Sequence, residues 1–138
     1  MPDQLPAPQI TVWFVLAGDD FDADACTAAI GLSPASIWRQ KRPELRDHPD
    51  LNNMNWSFGA EKVSEYSTNT VVASVLKDVW QRRDAIAAFA SQHALTASVC
   101  CNITIYQERP VYQLSPDVMR KLADLDAVFL MDIFDYSD

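Results

Sequence analysis

The chain has 138 residues, 49% of them hydrophobic, with 11 Lys and Arg against 19 Asp and Glu and a formal net charge of −8. That length fits one domain with its own core and leaves little room for two. With 3 glycines, 8 prolines and 22% charged residues, the composition is neither collagenous, nor low-complexity, nor disordered. The longest apolar run, Val12 to Ala17, falls far short of the roughly 20 residues that cross a bilayer, and no cationic stretch precedes it as a secretory signal requires. The 3 cysteines are an odd number and include the adjacent Cys100 and Cys101, which predicts free thiols and a cytoplasmic setting, not a disulfide framework.

Residues 1–9 contain Pro2, Pro6 and Pro8 and no periodicity, and are expected to form a flexible leader to a single domain at 10–136. A strand is predicted from Ile10 to Leu16, apolar on both faces as in the centre of a sheet. A short helix follows: Asp22 is a favourable N-cap, Asp24 suits the positive helix start, and Gly31 stands where a left-handed terminal residue belongs. Ser33-Pro34 ends it. Two strands are predicted at about 36–41 and 55–61, separated by a polar stretch from Arg42 to Met54 that is long for a connection. Helical spacing returns at Val72, Val75, Leu76 and Val79, and again at Ile86, Phe89, Ala90 and His93. Arg82 and Arg83 interrupt that stripe, so one bent helix or two consecutive helices are predicted. From 97 to 106, Ala97, Val99, Cys101, Ile103 and Ile105 alternate with Ser98, Cys100, Asn102, Thr104 and Tyr106, the pattern of a strand with one buried face. Ser115-Pro116-Asp117 opens a helix with cap, N1 proline and early acid, and Val128 to Phe134 is the last strand.

Interleaved strands and helices with a hairpin near the middle predict an α+β, two-layer sandwich. The expected sheet is mostly antiparallel with helices on one face, a split βαβ (ferredoxin-like) core carrying an added helix and strand.

The segment FDADACTAAIGLSP, the Trp56-Ser57 strand and the closing LSPDVMRKLADLDAVFLMDIFD together resemble a bacterial family known as domain of unknown function 4279. Its pattern runs from an extended start through an F-D-P-D-x-I-T helix ending in L-G, a basic segment and a lone Trp strand to a closing L-x-x-L-A-x-L-G … D-I-Y. The likeness covers roughly residues 10–135 in order, with Asp126 standing where the family tends to have Gly and Phe134 where it tends to have Tyr. The resemblance implies a single domain and brings no assigned chemistry.

Asp20, Asp22 and Asp24 mimic the first ligand positions of a calcium loop, but the glycine and the bidentate glutamate that such a loop needs are replaced by Ala25 and Gly31. Helix capping accounts for them instead. Cys26, Cys100, Cys101, His48 and His93 lack zinc spacing, and adjacent strand residues point to opposite faces, so no metal and no cofactor are expected. Arg39, Lys41, Arg42 and Arg46 cluster beside Trp38, the feature that would suit an anion; the alternative is that they pair with the protein's own carboxylates. The acidic balance disfavours nucleic acid, and no membrane partner is expected. Asp132 lies in an apolar strand and is expected to find a cation, such as Arg39 or Arg109, or to face a ligand.

Strand alternation supplies the main expectation. If Ile10, Val12 and Phe14, Val99, Cys101 and Ile103, and Phe129, Met131 and Ile133 lie under the helices, the reverse face carries Thr11, Trp13, Val15, Ser98, Cys100, Asn102, Thr104, Tyr106, Leu130, Asp132 and Phe134. Aromatics mixed with short polar groups suit a recognition surface. Cover by the chain itself, self-association and a foreign protein partner all stand open. The expected function is a non-catalytic binding protein, of the acidic immunity type, that meets a basic protein partner. The alternative is a small-ligand or anion-binding domain using the basic 39–46 segment, with Arg39, Lys41 and the Trp56 strand at its site. An enzyme ranks third: Asp132, Cys100, His48 and His93 are candidate groups, but nothing in the sequence brings an acid, a base and a nucleophile together.

Overall fold

A computed structural model describes residues 7–39, 54–59 and 62–137. In chain order the elements are β1 (Gln9–Gly18), α1 (Ala23–Ile30), β2 (Ser36–Arg39), β3 (Met54–Gly59), β4 (Val63–Ser64), α2 (Thr68–Trp80), α3 (Arg83–His93), β5 (Thr96–Ile105), α4 (Pro116–Asp124) and β6 (Ala127–Asp135). The protein is α+β, with one sheet ordered β2-β3-β1-β5-β6 and β4 also paired to β1. Every pairing is antiparallel except β5 with β6, which is parallel. Helix α1 connects β1 to β2 while β3 sits between those strands, and α4 carries the chain from β5 to its parallel neighbour β6.

Local chemistry explains the element boundaries. The Asp22 carboxylate accepts from the backbone N–H groups of Asp24 and Ala25 at 2.9 and 3.2 Å, so the acidic cluster caps α1, and Gly31 closes that helix at φ 80°. The arginine-rich join resolves into two helices, with Arg83 stacked 4.5 Å from the Trp80 ring centroid. Ser115 caps α4 by accepting from Val118 N–H at 3.2 Å. Just beyond α4, Asp126 adopts a left-handed φ of 53°, the conformation for which glycine is better suited. Gly59, at φ 105°, ends β3 where any Cβ would stand 2.7 Å from the Val12 carbonyl oxygen; β4 takes over the pairing with β1 at Ile10–Val63. Of the expected flexible leader, residues 1–6 lie outside the described residues; Pro8 is buried and its carbonyl accepts from Glu65 N–H at 3.2 Å.

The core fills the space between the sheet and its helices. Ile10, Val12, Phe14 and Leu16 of β1 and Val99, Cys101, Ile103 and Ile105 of β5 are fully buried, beneath Val72, Leu76 and Val79 of α2 and Ile86 of α3. Trp56 of β3 is also fully buried, and its indole N–H donates to the Thr27 hydroxyl of α1 at 3.0 Å. Phe21 meets Phe89 edge to face at 6.3 Å, tying the start of α1 to α3. The Thr68 hydroxyl anchors α2 by donating to the Gln113 carbonyl at 2.7 Å and accepting from Gln113 N–H at 2.9 Å. One expectation fails at β6: Phe129 packs against the core, but Met131 and Ile133 are exposed on the helix side. The reason is coverage: α4, which packs on β6, has only nine residues and ends where β6 begins.

Candidate functional site

The strand register fixes which side chains share the face opposite the helices. Thr11, Asn102 and Asp132 form one row across β1, β5 and β6; Trp13, Cys100 and Leu130 form the next; Gln9, Thr104 and Phe134 form a third. Trp13, Asn102, Thr104 and Tyr106 are half-buried, while Leu130, Asp132 and Phe134 are exposed, and no helix among the described residues lies over this face. Tyr106 continues the face past the end of β5, and its ring stacks on Tyr136 at 6.3 Å. At β3 the same side changes character: Ser57 is buried, and its hydroxyl is bonded to that of Ser36 at 2.6 Å. The open patch therefore centres on β1, β5 and β6.

Five of the eight sequence-derived site residues thus come together: Trp13, Asn102, Thr104, Tyr106 and Asp132. Trp56 does not join them. Its side chain points to the other side of the sheet and belongs to the core, because Trp56 pairs with Leu16 and faces α1. Arg39 is bound to its own chain, in an ion pair with Asp20 and a 3.3 Å bond to the Asp19 carbonyl. Lys41, like Arg42, Arg46 and His48, lies outside the described residues. Sequence reasoning missed Trp38 as a member of this face: it pairs with Asn55, which pairs with Ala17, so its exposed ring lies on the open side at the opposite edge. The alternation within Ser36–Arg39 was the signal, obscured by the basic residues that follow.

The expected cation for Asp132 is absent among the described residues, since Arg109 pairs with Asp135 at 2.6 Å and Arg39 with Asp20. Asp132 instead acts on Cys100, whose thiol pKa is raised by burial first and by the Asp132 charge second. Burial pushes Cys26 up to about 12 and Cys101 up to about 11. These shifts run opposite to those of a thiolate nucleophile. His93 lies against the Phe89 ring at 4.3 Å.

A separate cavity of about 550 Å³ opens on the helix side, between the β3–β4 segment and α2. Phe58, Val63 and Val75 give it apolar walls, and Glu65 and Asp78 contribute carboxylates; no basic side chain among the described residues lines it. Among the described residues there is no group of three metal-ligating side chains and no helix long and apolar enough to cross a membrane.

Fold and face together define an α+β protein whose sheet is covered by helices on one side and, among the described residues, open on the other. The chain belongs to the family described as Domain of unknown function (DUF4279), whose model matches residues 8–136. No curated protein and no solved structure matches it.

Proposed function

We propose that this protein is a non-catalytic binding module that meets a basic protein partner through the open sheet face, in the manner of an acidic immunity protein. One observation carries this reading: Asp132 stands exposed between Leu130 and Phe134 on the face that also carries Trp13, with no cation beside it among the described residues. Aromatic anchors around an unpaired carboxylate suit a partner that presents a Lys or Arg amid apolar side chains. The net charge of −8 would speed its approach through long-range attraction. Three free cysteines, two of them buried, suit a cytoplasmic setting.

Affinity capture with the full chain, run in parallel with Trp13→Ala and Asp132→Lys, tests this. A basic protein recovered by the wild type, lost with either variant and released as salt rises, supports the proposal. Equal recovery by all three, or recovery indifferent to salt, contradicts it.

A further inference from the structure

Among the described residues the sheet ends in two edge strands, β2 and β6, and β6 is the longer of them. It is nine residues long, pairs only with β5 among the described residues, and its apolar side chains are exposed on both faces. Val128, Leu130 and Phe134 on the open side and Met131 and Ile133 on the helix side are between 36% and 50% exposed. Edge strands that stay solitary are short, kinked, or defended by Lys or Pro. The other edge, β2, obeys this with four residues ending at Arg39. The sequence of β6, AVFLMDIFD, contains no Lys, Arg, Pro or Gly. Its outward backbone N–H and C=O groups, flanked by apolar side chains, are a template for another strand.

We propose that the occupant of this edge is β6 of a second copy of the chain, paired antiparallel about a two-fold axis at Met131. The strand's own pattern selects that axis. Met131 is the midpoint of Ala127–Asp135, so this register alone pairs all nine residues. It sets Val128 opposite Phe134, Phe129 opposite Ile133, Leu130 opposite Asp132 and Ala127 opposite Asp135, so no two aspartates face each other. Moving the axis to Asp132 would put its two carboxylates directly opposite, a destabilising arrangement. Moving it to Leu130 would set the charged Asp126 against Phe134 and shorten the overlap. The two-fold axis stands perpendicular to the sheet, so the two open faces merge into one, with helices on the same side in both copies.

The inference extends the proposed function, resting on it only for what the doubled face would hold. Across the seam the two Asp132 residues become diagonal neighbours, about 7–8 Å apart at the backbone. They form an acidic pair at the centre of the joined face, a better match for a basic partner than either alone. Each copy carries −8, so added salt, by screening repulsion, strengthens this dimer while it weakens binding of a cationic partner. Opposite salt responses keep the two ideas separable.

Sedimentation equilibrium of the full chain at low and high salt is the primary test. A concentration-dependent dimer, tighter at high salt, is expected, and Met131→Lys should raise its dissociation constant by about tenfold or more while leaving the circular dichroism unchanged. Directly opposite Cα atoms lie about 4.5–5.5 Å apart, within disulfide reach. In a Cys100→Ser, Cys101→Ala background, which removes the thiol paired with Met131 across β5, Met131→Cys should therefore cross-link between copies on mild oxidation, and Ile133→Cys, which faces Phe129 of the other copy, should not. A monomer at every concentration and salt, a dimer indifferent to Met131→Lys, or cross-linking equally efficient at both positions would overturn the proposal.

Discussion

Strands β5 and β6 run side by side in register from Ala97–Ala127 to Ile105–Asp135, yet they live in different environments. Along β5 every second residue is buried, from Ala97 to Ile105, whereas β6 is exposed along almost its whole length. Their apolar content is similar; their cover is not. Strand β5 lies between β1 and β6 with the core helices over one face, while β6, among the described residues, has a neighbour on one side and α4 packed on it. A hydrophobic side chain stabilises a fold only to the extent that something covers it. The apolar residues of β5 therefore hold the molecule together, and those of β6 remain available for contact with another chain.

The sharpest way to break this contrast uses two identical residues that are ladder partners. Ile103 is fully buried and Ile133 is 48% exposed. Ile103→Ala should cost about 2–5 kcal/mol in urea denaturation, and Ile133→Ala under about 1 kcal/mol in the monomer. Equal losses would mean that β6 is covered after all. Next in size is Gly59→Ala, where a left-handed backbone and a Cβ 2.7 Å from the Val12 carbonyl oxygen should cost about 1–3 kcal/mol by the same measurement. No loss there would show that β3 and β4 are not tied to β1 as described. The caps follow, each readable as a shift in thermal midpoint. Asp22→Ala should destabilise by about 1 kcal/mol, and Asp126→Gly should stabilise by about 1 kcal/mol through relief of the positive φ.

The smallest effect concerns two thiols next to each other on β5 but on opposite faces. Cys101 is buried toward the helices, and Cys100 is half-buried toward the open side. Iodoacetamide should modify Cys100 well before Cys101. Because the thiolate reacts and burial and Asp132 both raise the Cys100 pKa, its rate should still be climbing with pH above the ordinary cysteine range. Asp132→Asn should lower that pKa and speed the reaction modestly at pH 8. A rate that Asp132→Asn leaves unchanged would remove Asp132 from the surroundings of Cys100.

Much of this arrangement was legible in the sequence because it is encoded over short distances. The caps at Asp22 and Ser115 and the left-handed Gly31 are local chemistry. The strict alternation of β5 needs no knowledge of partners, and with the two-residue period of β1 and β6 it placed Trp13, Asn102 and Asp132 on one face. What failed depended on distance. Trp56 read as a ligand-facing residue because nothing near it in sequence announces that α1 will cover it and Thr27 will accept its indole N–H. Met131 and Ile133 alternate as core residues should, but the reach of α4 over β6 is a property of the assembled layers. Strand β4, with two residues, is too short to carry a pattern at all. Arg39 found its carboxylate on Asp20, close in space because β2 lies beside β3 and β3 beside β1.

The most direct test is hydroxyl-radical footprinting of the full chain, free and bound to the basic protein it captures. Trp13 is the reporter of choice, since β5 separates its strand from the β6 edge and self-pairing there would leave it unchanged. Protection of Trp13 on complex formation, with Met119 on α4 as reactive as before, is the expected result. Protection of Met119 with Trp13 unaltered would place the partner on the helical side and contradict recognition through the open sheet.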